Sequence, residues 1–216
     1  MRERGWKKLK KRTKVFLKVV GVILAVITVF NVTIYFTVID TVRYSDKWLV
    51  TYAPMDGYYH TGEFTEDEIA KRKEAILAEL GNYTKVKYNV RSRSMLIFTS
   101  YAATVVGSYT PENYAAQKEK MLQQYQFMTT ADFENFKYEP EGTPTAFSIE
   151  DWIFRFIKED MTYIPEEFRL FAFNDETQQI ALLTYHDQDM DVFGEKNDEA
   201  DLVDFIHDYF HYNFKK

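Results

Sequence analysis

VVGVILAVITVFNVTIYFTVI, residues 19–39, runs for 21 positions without a charged side chain. As a helix at 1.5 Å per residue this stretch reaches about 31 Å, matching a hydrocarbon core of about 30 Å. Its polar members, Thr28, Asn31, Thr33 and Thr37, can return hydrogen bonds to their own backbone. The run is longer than the about 7–15 apolar residues of a cleaved signal peptide, and Thr37-Val38-Ile39-Asp40-Thr41-Val42-Arg43 offers no small-x-small site. The sequence therefore predicts an uncleaved signal anchor, a single-pass transmembrane helix over 19–39, with a basic tail at 1–18 and a domain at 40–216.

Charge on either side sets the expected orientation. Nine Lys or Arg precede the helix within residues 1–18, and only Arg43 and Lys47 follow it within residues 40–57. Positive flanks stay on the cytoplasmic side, which predicts a cytoplasmic N-terminus and an extracellular C-terminal domain at the cell membrane. Trp6, Tyr35 and Trp48 are placed where amphipathic rings settle at headgroup level.

The chain is sharply divided in charge. Residues 1–39 carry net +8 and residues 40–216 carry net −14, within an overall −6. Nucleic-acid binding runs on phosphate neutralisation by Lys and Arg, so an acidic outer domain is expected to bind no nucleic acid. Zero cysteines exclude disulfides, zinc–thiolate sites and thiol catalysis. A domain of this length can be stabilised by its core alone. Disulfide-free export suits a bacterial cell envelope better than a eukaryotic ectodomain.

Beyond residue 40 the pattern reads as α+β, with antiparallel hairpins covered by helices. Thr65-Glu66-Asp67-Glu68 is a capping box, opening a helix that Gly81 ends. Thr110-Pro111 pairs a cap with proline at the first helical position. Ile149, Trp152, Ile153, Phe156 and Ile157 keep the 3/4 spacing of a third helix, opened by Ser148. Leu202, Phe205, Ile206, Tyr209 and Phe210 mark a last one over 199–213. Strands are expected at Trp48–Tyr52, at Val86–Val90 returning after a turn at Arg91–Arg93 as Met95–Val106, and at Phe168–Phe173 and Ile180–Tyr185 around Asn174–Thr177. Tyr52-x-Pro54-x-x-Gly57 is echoed by Tyr138-x-Pro140-x-Gly142, and Phe64-Thr65 before two acids by Phe147-Ser148 before two more. These echoes predict an internal duplication, two βαββα units near 47–126 and 133–213.

Two constellations carry candidate chemistry. His207-Asp208-Tyr209-Phe210-His211 sets two imidazoles one turn apart, the spacing with which a helix holds zinc from one face. A third ligand would come from elsewhere, His186 or Asp187. At about 100° per residue both histidines fall beside Asp204 and Asp208, on the polar side. Asp187, Asp189 and Asp191 place carboxylates at alternate positions, like the start of a calcium loop, but Val192 stands where an EF-hand needs glycine. No phosphate loop, G-x-S-x-G elbow or S-x-x-K nucleophile is present. The expectation is a non-enzymatic, membrane-anchored interaction, sensory or accessory protein of the envelope that partners another membrane or envelope protein. It needs no cofactor, unless calcium. The alternative is a metal-dependent hydrolase built on His207, His211 and nearby acids.

Overall fold

The computed structural model describes residues 2–36, 38–53, 62–95, 98–129, 146–158, 167–187 and 199–214. It divides into two units, Met1–Val38 and Ile39–Lys216. The first is one helix, α1, Arg2–Phe36. Its stretch Val15–Thr33 is long and apolar enough to cross a membrane, by length and composition. Thr28 Oγ1 donates to the Leu24 carbonyl and Asn31 Nδ2 to that of Ile27, each at 2.8 Å, so these polar side chains are satisfied by their own helix.

The helix stops short of the expected residue 39. Val38 and Ile39 begin strand β1, Val38–Arg43, which is hydrogen-bonded to β2 at one border of a seven-stranded sheet. β-branched residues suit a strand, and pairing with β2 satisfies backbone groups that a prolonged helix would satisfy internally.

The second unit is α+β. Two helices, α2 (Asp46–Tyr52) and α3 (Glu66–Leu80), precede the hairpin β2 (Lys85–Met95) and β3 (Phe98–Ser108). Then come α4 (Pro111–Gln124), hairpin β4 (Ala146–Ile149) and β5 (Trp152–Phe156), hairpin β6 (Glu167–Asn174) and β7 (Gln179–Asp187), and α5 (Glu199–Tyr209). The sheet order is β1-β2-β3-β7-β6-β5-β4, antiparallel at every described register.

Alternation along the strands separates two cores. On one face Ala102, Val106, Leu170, Leu183 and Tyr185 meet Phe147, Trp152, Phe154 and Phe156, with Leu202, Phe205, Ile206 and Phe210 from α5 above them. On the other, Ala103, Val105, Phe171, Phe173 and Leu182 meet Leu49 and Val50 of α2, Ile76 and Leu80 of α3, and Tyr114 and Met121 of α4. The capping box of α3 forms as expected, with Thr65 Oγ1 accepting from Glu68 N–H and Glu68 Oε2 from Thr65 N–H. Gly81 ends that helix at φ 68°, where a side chain would strike Gln117. Thr110 caps α4 as its sequence implies.

Four expectations are corrected. The helix expected from Ser148 is the hairpin β4–β5. Its apolar positions also fit a period of two, burying Trp152, Phe154 and Phe156 and turning Ile153 and Arg155 outward. Aromatic and β-branched residues with a sheet neighbour in β6 decide for the strand. Trp48–Tyr52 is helical, started by Ser45 and burying Leu49 and Val50. The hairpin at Arg91–Arg93 turns later, after Met95, because both arginines are strand residues with partners beyond the sheet. Lastly, 47–126 and 133–213 do not form matching βαββα units: the first begins with a helix, and β4–β5 stands in place of a helix in the second. Among the described residues the halves share a hairpin followed by a helix, β2–β3–α4 and β6–β7–α5. A two-fold across the antiparallel β3–β7 seam would set both helices on one face, whereas α4 and α5 lie on opposite faces.

Candidate ligand groove

Strand β2 alternates polar and apolar. Lys87, Asn89, Arg91 and Arg93 share one face, opposite Val106, Thr104, Ala102 and Ser100 of β3. This is the face that α5 covers, but α5 lies mainly over the far strands and meets β2 only at its end. The last carbonyls of a helix lack intrahelical partners and carry the negative end of its dipole. Here Asp208 O accepts from Arg91 Nη1 at 2.8 Å and Arg93 Nη1 at 3.1 Å, and His211 O accepts from Asn89 Nδ2 at 2.8 Å. The Arg93 guanidinium also lies over the Tyr209 ring, 4.9 Å from its centroid.

Arg91 binds the opposite side of its strand as well. Its Nε donates to Asp40 Oδ1 at 2.9 Å, and Nη2 pairs with Asp40 Oδ2, a two-pronged grip on β1. The hydrogen bond from Arg91 holds the Asp40 carboxyl below its ordinary range, against a smaller opposing push from burial. One guanidinium thereby ties the first strand of the domain to the end of its last helix.

Between β2 and the segment that follows α5 lies an open groove of about 710 Å³. Lys87, Asn89 and Arg91 line it from β2, and His207, His211 and Tyr212 from the end of α5 and the segment after it, with Phe210, Tyr44 and Tyr88 also in the lining. Among the described residues no acidic side chain lines it, in a chain with 33 Asp and Glu. Lys87 is exposed and makes no ion pair among the described residues. Tyr44 and His211 meet edge-to-face at 6.4 Å. The volume falls in the range of small-ligand sites, about 300–1,000 Å³.

The sequence-derived candidates separate. His207 and His211 are both exposed and line the same groove. His186, the suggested third zinc ligand, sits on β7 with the parity of Ile180 and Leu182, on the opposite face of the sheet. It is 9% exposed, and burial pushes its pKa down to about 4. Asp187 is the last residue of β7, opposite Ser100. Asp189 and Asp191 lie outside the described residues, as does all of 188–198. Among the described residues no three His, Asp or Glu converge as a metal-binding group. Lys87, Asn89 and Arg91 escaped the sequence reading. Their signal is the two-residue repeat of polar side chains from 87 to 93, obscured by the misplaced turn.

A second polar cluster is structural. Glu79 of α3 and Arg169 of β6 form a buried ion pair, Nη2 to Oε2 at 2.6 Å, with side chains 3% and 4% exposed. Gln117 Nε2 donates to the Glu79 carbonyl at 3.0 Å and binds α4 to α3. No protein-family model matches the chain, no curated protein matches its sequence, and no solved structure matches its fold.

Proposed function

We propose that the chain is a single-pass membrane protein of the cell envelope whose α+β domain is a tethered binding module, non-enzymatic, presenting the β2–α5 groove to another envelope protein. The observation that carries this reading is the pairing of an apolar helix with a self-contained folded unit. None of Val15–Thr33 is buried, and Val22, Leu24, Val26 and Phe30 are each about 60% exposed. Leaving that much apolar surface in water is unfavourable at roughly 25 cal/mol per Å², and a bilayer removes the cost. The nine positive residues within residues 1–18, at the N-terminal end of α1, favour a cytoplasmic N-terminus and an extracellular domain. A tether raises the concentration of the groove near membrane partners.

Protease added to intact cells should remove the domain while leaving the basic tail protected. Protection equal to that of a cytosolic marker would end the orientation claim. The competing reading is a metal-dependent hydrolase, favoured by one fact, that His207 and His211 line a common groove. Stoichiometric zinc in purified protein, lost with His207→Ala and His211→Ala together, would replace the binding-module reading with that one.

A further inference from the structure

The groove runs against the charge of the domain around it. Residues 40–216 carry net −14, yet the groove is lined by a lysine, an arginine and two histidines and, among the described residues, by no acid, and the adjacent Asp40 carboxylate is already committed to Arg91. Arg91 is fully engaged by Asp40 and the Asp208 carbonyl, so it is a fixed wall rather than a free donor. Among the described lining residues, Lys87 is the cation left to attract a ligand. Its neighbours along the wall, Asn89 and Arg91, follow at two-residue steps of about 6.6–6.8 Å, the repeat with which an extended peptide presents its own side chains. Tyr44 and Tyr212 supply aromatic and phenolic surface for the alternate positions.

We infer that the groove docks a short, extended, acidic segment of a partner protein, with a carboxylate on Lys87. This rests on the reading of the domain as a tethered binding module. A short segment fits better than a long polyanion or an anionic bilayer, because charge complementarity is confined to the groove and the rest of the domain repels negative surfaces. The hydrogen-bonded frame of Arg91, Arg93 and Asn89 holds both walls before a ligand arrives, so little ordering is required on binding.

The test uses the full chain in neutral detergent and two fluorescein-labelled octapeptides, one alternating Glu and Leu, the other Gln and Leu. Fluorescence anisotropy at low salt should show the Glu peptide binding about tenfold tighter or more, with the difference shrinking as salt rises. Lys87→Glu should weaken the Glu peptide by about tenfold, and Lys87→Gln by less, while Lys120→Glu on the exposed side of α4 changes nothing. Thermal melts of the lysine variants should match that of the unchanged chain, since these lysines are exposed. Equal binding of both peptides, weakened by Tyr212→Ala but not by Lys87→Glu, would overturn the acidic specificity and leave a groove that binds. Binding of neither peptide would overturn the docking inference, while protease accessibility on cells still decides the tethering on its own.

Discussion

The two faces of the sheet are held by different chemistry. Over β4 to β7 the face under α5 is apolar and aromatic: Trp152 meets Phe214 edge-on at 5.3 Å, Phe147 stacks on Phe154 at 4.9 Å, and Tyr185 meets Phe205 at 5.0 Å. The other face has three helices and is fastened by polar links. These are Glu79–Arg169, Gln117 to the Glu79 carbonyl, Asp46 with Lys73 and Tyr88, and Asp175 with Tyr114 and Lys118. A single short helix cannot cover seven strands. The aromatic face is therefore left open over β2, and the groove occupies that opening. Three helices cover the opposite face more fully, and their polar links orient them rather than meeting a ligand.

The comparison is sharpest at the buried ion pair. Arg169→Ala leaves Glu79 charged and buried, and should cost about 3–5 kcal/mol in urea unfolding. Replacing both partners, Glu79→Leu with Arg169→Met, should restore most of that loss, because a buried pair adds little over well-packed apolar residues. On the aromatic face Leu183→Ala should cost about 2–5 kcal/mol through its cavity, and no partner substitution should recover it. If Arg169→Ala proved as mild as an exposed substitution, the polar fastening of this face would be refuted.

A smaller effect separates the faces by pH. His186 is on the polar face, and burial depresses its folded pKa to about 4. Between the ordinary histidine value and about 4, the unfolded chain binds the extra proton. Stability from this group is therefore complete above about pH 6.5 and is lost as pH falls toward 4. His186→Gln should flatten the pH dependence of the unfolding midpoint in that window. A steep slope retained by His186→Gln would assign the acid sensitivity elsewhere, with Asp46 and Asp175 next. Hydrogen bonds hold both of these carboxylates below their ordinary range, from Tyr88 and Lys73 to Asp46 and from Lys118 and Tyr114 to Asp175, so their contribution is lost at lower pH.

The smallest expected effect lies in the turn that the sequence reading took for a helix. Glu150 sits at φ 50° between Ile149 and Trp152, a conformation that costs a residue with a β-carbon about 1 kcal/mol or more. Glu150→Gly removes that strain at some cost in chain entropy, and should raise stability by about 0.5 kcal/mol. A loss of a kilocalorie or more would mean that the carboxylate itself supports the hairpin.

What the sequence determined by itself is local. An uncharged apolar run and a basic flank specify a helix fit for a bilayer. Thr65 with Glu68, and Thr110 with Pro111, mark helix starts, because caps and first-turn preferences act within four residues. Asn174–Thr177 marks its hairpin by turn chemistry, with Asn174 Oδ1 accepting from the N–H groups of Glu176 and Thr177. Tertiary structure decided whatever needed a partner distant in sequence. Ile149, Trp152, Ile153 and Phe156 fit both helical and strand spacing, and the neighbouring β6 resolves the ambiguity. Arg91 and Arg93 resemble a polar turn until the end of α5, more than a hundred residues on, supplies the carbonyl they bind. The same long-range pairing makes the groove, since its walls come from residues 87–91 and 207–212. Only the packing of α5 on the sheet places those segments side by side.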